Sequence, residues 1–223
     1  MITTINLDAF RILLEGATKD GVDCYSAAEA YGNGSAIEIE TGIFLYGLVR
    51  RYKPRLVLET GTHWGFSAAW IALALQDNGK DYPDFAGHLI TIDADGYNGR
   101  PKDLWKKLQL SNITHVIGNS EDPRTLEQLT LHSCIDAIWF DADHSAGAIW
   151  REYKTYHPYL NKDQALIGFH DTRLDKRMDE GVKAIVNNLY DEICDEKSSH
   201  KWKFIEHVPW RNLRGLDLIF LHS

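Results

Sequence analysis

Two short stretches gather most of the ionisable groups that could do chemistry. In "IDAIWFDADHSAG", residues 135–147, an apolar run stops at Asp141, Asp143 and His144. In "ALIGFHD", residues 165–171, a second run stops at His170 and Asp171. A buried carboxylate without a partner is costly, so acids at the ends of core segments call for one. Asp141 or Asp143 can cap a helix starting near Ser145, a role worth about 1 kcal/mol. A third stretch, "ETGTHWGFSAAW", places Gly61 and Gly65 in a turn, where absent side chains let a ligand approach the backbone. The spacing is neither GxGxxG nor a Walker loop, and Glu59 would repel a pyrophosphate. A ligand with an ammonium or sulfonium group suits that acid better. Asp93, about thirty residues on, stands where a carboxylate accepts both hydroxyls of a ribose. Ser120 and Glu121 in "GNSEDP" then offer polar atoms to an adenine edge.

These residues need a scaffold that brings strand ends together. "RLVLET" (55–60), "HLITID" (88–93), "HVIGN" (115–119), "IDAIWFD" (135–141) and "ALIGFHD" (165–171) are short and apolar, as buried parallel strands are. Segments of helical period alternate with them: "SAAWIALALQDN", "PKDLWKKLQL", "PRTLEQLTLH", "GAIWREYKTYHPYL" and "DEGVKAIVNNLYDEI". That alternation predicts right-handed βαβ units in a doubly wound α/β sheet. "KWKFIEHV" and "GLDLIFLHS" have no helix between them and predict an antiparallel hairpin at one edge. Helices are expected in "NLDAFRILLEGA" and "ETGIFLYGLVRRY", and "DGVDCYSAAEAYGNGSA" reads as a lid. In such sheets ligands bind outside the carboxyl ends of the strands. Glu59, Asp93, Asn119, Asp141 and Asp171 stand at those five ends, so four carboxylates face one crevice.

Bulk properties narrow the field. The 223 residues suit a single domain, with 1–52 as a helical cap and 53–223 as the core. The net charge of −8 gives no footprint for a phosphate backbone, which disfavours nucleic acid as a partner. Three scattered cysteines fit reduced thiols in the cytoplasm, and no apolar run is long enough to span a membrane.

"RRYKPRLVLETGTHWGFSAAW", "TIDAD" and "GNSED" together resemble the class I S-adenosylmethionine-dependent methyltransferases. The nearest pattern is that of the catechol and caffeoyl-CoA O-methyltransferases and their bacterial relatives acting on sugars and antibiotics. The likeness runs from about residue 37 to the end. It implies a Rossmann-like, doubly wound, seven-stranded sheet of order 3-2-1-4-5-7-6, its last strand antiparallel, with an N-terminal helical extension. It implies S-adenosyl-L-methionine held by Glu59, Gly61, Thr62, Gly65, Ser67, Asp93, Ser120, Glu121 and Asp141. A divalent cation would be bound by Asp141, His170 and Asp171, with His144 as general base on a hydroxylated small-molecule acceptor. Mg²⁺ suits the carboxylates, whereas His170 replaces the usual acid and tilts the site toward Mn²⁺, Fe²⁺ or Zn²⁺. Relatives often form homo-oligomers. Two alternatives stand beside this reading: a metal-independent methyltransferase on RNA or protein, and a non-catalytic cofactor-binding module. His63, Trp64, Phe66, Tyr97 and Trp139 are read as pocket walls or as core.

Overall fold

Every apolar run named above that the structure, a computed structural model, describes is a strand. The described residues are 4–15, 37–122, 124–125, 134–173, 182–195, 201–207 and 215–222. Five strands run parallel: β1 (Leu56–Thr60), β2 (His88–Asp93), β3 (Ile113–Ile117), β4 (Ala137–Phe140) and β5 (Gln164–His170). The hairpin strands β6 (Lys201–His207) and β7 (Leu216–His222) complete the sheet in the order β3-β2-β1-β4-β5-β7-β6. β7 lies between β5 and β6 and is antiparallel to both. β3 starts and ends two residues earlier than its sequence suggests. It is an edge strand of mixed exposure, so no continuous apolar run marks its start. Its end is set by Gly118 N–H, which donates to Asp93 O at 2.8 Å and turns the chain away.

Alternating side chains divide the core between the two sheet faces. Val57, Leu89, Ala137, Trp139 and Leu166 pack under four helices: α1 (Leu7–Glu15), α2 (Ile39–Tyr52), α3 (Phe66–Asp81) and α4 (Arg100–Lys107). Leu58, Ile90, Ile138, Phe140, Ile167 and Phe169 face α5 (Ala146–Tyr156) and α6 (Val182–Asp195). α3 is buried all round from Phe66 to Leu75, because α2 covers the side that α3 turns away from the sheet. Polar ties lock that pair: Tyr46 O–H donates to Asp77 at 3.0 Å, and Asn78 Nδ2 donates to Val49 O at 2.9 Å.

The expected helix "PRTLEQLTLH" falls largely outside the described residues, as do the "DGVDCYSAAEAYGNGSA" segment and the hairpin connection. No helix among the described residues is long and apolar enough to cross a membrane.

Candidate functional site

The carboxyl ends of all five parallel strands, β1 to β5, open on a cavity of about 530 Å³. Its walls include Gly61, Thr62, Ser67, Asp93, Ser120, Glu121, Asp141, His144, His170 and Asp171. Residues from five strand ends therefore converge there. His63, Trp64, Phe66 and Tyr97 line it too, whereas Trp139 lies in the core with its ring against Gly168.

The glycine turn is required by packing as well as by any ligand. Gly61 has φ +88°, and a Cβ there would lie 2.1 Å from Asp141 O. Gly65 has φ +78°, and a Cβ would meet the Trp105 indole at 2.8 Å. Both positions thus need glycine for conformation and for space. The first lets the turn after β1 lie directly against the backbone that carries Asp141. Glu59 sits beneath this turn, fully buried and off the cavity wall. Thr91 Oγ1 donates to its Oε2 at 2.5 Å, while its Oε1 has no hydrogen-bond partner among the described residues. Burial pushes the Glu59 carboxyl up to about 8, against the hydrogen bonds from Ser67 and Thr91.

Asp93 clasps two loops. Its Oδ2 accepts His63 N–H at 2.8 Å and its Oδ1 accepts Asp95 N–H at 2.9 Å. A carboxylate oxygen carries two acceptor sites, so these backbone contacts do not exhaust either oxygen. Ser120 Oγ donates to Glu152, a fully buried acid on α5 that also accepts Thr60 Oγ1 at 3.2 Å. Glu121 forms an ion pair with Arg151 at 2.5 Å. The sequence shows no sign of Glu152's part, since an acid on an amphipathic helix reads as surface.

At the β4 and β5 ends the acids and imidazoles meet. His170 Nδ1 lies 2.9 Å from Asp141 Oδ1 and 3.5 Å from Asp171 Oδ1. His144 Nε2 lies 3.0 Å from Asp171 Oδ2 and 3.6 Å from Asp141 Oδ1. Asp171 adopts φ +56°, an uncommon region for a residue with a side chain. Burial alone would lower His170, yet the Asp141 charge and hydrogen bonds donated to Asp141, Asp171 and Glu38 hold it well above its ordinary value. Burial would raise Asp141, but the His170 charge and the two imidazole hydrogen bonds take it down to about 2. Burial would likewise lower His144, and its Asp141 and Asp171 partners raise it. The cluster behaves as a set of buried anions that demands positive charge. Donor atoms of Asp141, His144 and Asp171 lie within 4.8 Å of one another, close enough to share one ion.

Asp143 stands apart from this cluster. Its Oδ1 accepts Ser145 N–H at 2.7 Å, and Ser145 itself caps α5 by accepting Ala148 N–H at 3.4 Å. The cap is therefore Ser145, two residues after Asp143 and four after Asp141, and neither aspartate caps the helix. A second group went unmarked in the sequence: Glu38, fully buried at the start of α2, whose Oε2 accepts from His170 Nε2 at 3.2 Å.

A family described as "Methyltransferase domain" matches residues 58–172, from β1 to just past β5. Among solved structures, the O-methyltransferase TomG from Streptomyces achromogenes, involved in tomaymycin synthesis and bound to SAM, superposes with a TM-score of 0.68. It is 19% identical, over 98% of this chain and 97% of that one. An O-methyltransferase from Bacillus cereus bound to SAH gives 0.66 at 16% identity, with both chains covered fully. A methyltransferase from Geobacter sulfurreducens gives 0.58 at 17% identity, again over the whole of both chains. No protein of curated function matches the sequence.

Proposed function

The chain belongs to the methyltransferase-domain family and is an S-adenosylmethionine-dependent methyltransferase, and from that premise we propose that it transfers the methyl group to a hydroxyl of a small molecule with the help of a divalent cation. One observation carries the cation. The His144 and His170 nitrogens each lie 2.9 to 3.6 Å from carboxylate oxygens of both Asp141 and Asp171. Neighbouring ligands around a six-coordinate ion with bonds of about 2.1 Å are themselves about 3 Å apart. The contacts thus have the spacing of a shared coordination sphere, and the donor set of two carboxylates and an imidazole fits Mn²⁺, Fe²⁺ or Zn²⁺ as well as Mg²⁺.

In this reading Asp141, His170 and Asp171 hold the ion, and His144 is the base. When bound, the cofactor supplies an electrophilic methyl and the cation makes a nearby hydroxyl more acidic. The chain's own groups do the rest. Asp93 orients a ribose through both oxygens, and Ser120 and Glu121 face the adenine edge. The turn at Gly61 to Ser67 holds the methionine part beside Asp141, and the protein contributes mainly alignment. His144 takes the proton at Nε2, where Asp171 Oδ2 at 3.0 Å stabilises the imidazolium. A cation held by the two aspartates would offset the charge that raises His144 and so would leave the imidazole free to act as a base.

The cavity also supports a second arrangement, in which His144 is the third ligand, because its Nε2 is as near to both aspartates as His170 Nδ1 is. Exhaustive chelation tests the common core of both. Transfer to a panel of sugar, catechol and polyketide hydroxyls is expected to cease with chelator and to return with Mn²⁺ or Mg²⁺. Full activity in the chelated protein would leave a metal-independent methyltransferase.

A further inference from the structure

We propose that Glu38 is a positioning residue of the cation site, acting through His170. The inference rests on the cation reading above and adds a residue from outside the sheet. His170 is 1% exposed, and each of its ring nitrogens faces a carboxylate. Nδ1 is directed at Asp141 and Asp171, the cavity side, and Nε2 at Glu38 Oε2, the core side. Glu38 is fully buried, and its Oε2 also accepts Thr41 Oγ1 at 2.9 Å, which fixes the carboxylate from within the first turn of α2. An imidazole pinned on one nitrogen by a carboxylate offers the other as a lone pair. Metal-binding histidines nearly always donate their second N–H to such a group, which sets the tautomer and raises basicity. Glu38 therefore keeps the proton on Nε2 and leaves Nδ1 for the ion. It also distinguishes the two imidazoles: His170 has a carboxylate behind its second nitrogen, whereas among the described residues His144 has its carboxylate contacts at Nε2, on the cavity side.

The arrangement also explains why an N-terminal segment is needed by a site built on strand ends. Ile37 lines the cavity, and the next residue reaches beneath it to His170. The residues at the start of α2 thus supply both a wall and a support.

Mn²⁺ titration of the full chain by calorimetry tests this, with S-adenosylhomocysteine binding as the check that each variant is folded. Glu38→Gln retains an amide oxygen that accepts Nε2–H, and is expected to bind Mn²⁺ nearly as the parent does. Glu38→Met fills the same space without an acceptor, and is expected to bind Mn²⁺ about 10- to 100-fold more weakly while S-adenosylhomocysteine affinity holds. Equal Mn²⁺ affinity in the two variants would overturn the inference alone. A parent chain that binds no Mn²⁺ would overturn the cation reading with it. Independently of any substitution, ¹⁵N-histidine spectra of the parent chain titrated with Zn²⁺ should show the His170 Nδ1 signal shifting while Nε2 keeps its proton. Movement of Nε2 instead would refute the assignment.

Discussion

His144 and His170 sit on the same two aspartates and differ in what lies behind them. His170 is enclosed by Glu38 and the core, whereas the His144 side chain is 36% exposed at the cavity edge. Exposure toward an acceptor favours proton transfer, and enclosure favours a fixed ligand. His144→Ala is accordingly expected to lower methyl transfer by more than about 100-fold, with Mn²⁺ and S-adenosylhomocysteine affinities retained in calorimetry. Loss of Mn²⁺ binding would instead make His144 the third ligand. Asp93, Asp141, His170 and Asp171 could be found in the sequence because each interrupts or ends an apolar run. Glu38 could not, since 132 residues separate it from His170 and only the packing of α2 against the sheet joins them. Glu152 escaped for a similar reason: α5 must dock before its acid is seen to be buried.

Strands, turns and helices were legible to different degrees. β1, β2, β4 and β5 are buried on both faces and read as apolar runs to within about two residues. β3, half exposed at the sheet edge, does not, and its ends are set by pairing with β2. The turn between β1 and α3 was recognised by its glycines, but part of the reason for them lies in the fold. Gly61 is where the cofactor turn touches the backbone of Asp141, so one residue couples two halves of the site. Gly61→Ala adds a Cβ at positive φ against that carbonyl, and is expected to cost more than about 2 kcal/mol in thermal or denaturant unfolding. In the fraction that folds, both S-adenosylhomocysteine and Mn²⁺ should bind less tightly. Loss of cofactor affinity alone would show that the contact does not couple the halves.

Across the whole molecule, buried acids couple stability to pH. Burial raises Glu59 to about 8 and Glu152 to about 7, against an ordinary 4.5. Each is still protonated in the folded chain where it already ionises in the unfolded one, so the folded state loses ground as pH climbs from about 4.5 to about 7 for Glu152 and to about 8 for Glu59. Glu152→Gln removes that share while keeping a polar partner for Ser120 and Thr60. Read from melting curves, its stability is expected to match the parent near pH 4 and to exceed it increasingly up to about pH 7, where the gain levels off at roughly 3 kcal/mol. Parallel melting curves across that range would mean that Glu152 is ionised in the folded state.

The place of β7 has a consequence for the order in which the protein is assembled. Residues 201–207 precede residues 216–222 in synthesis, yet β6 touches the sheet only through β7. β6 must wait, unpaired, until the later strand slots in beside β5, with Leu216 opposite His170 and Asp217 opposite Phe169. Until then the flank of β5 that carries His170 is an open edge, with its hydrogen-bonding groups offered to any passing strand. A nascent or truncated chain ending before residue 216 would therefore hold its glycine turn but leave β5 unguarded, the condition in which chains of this size self-associate.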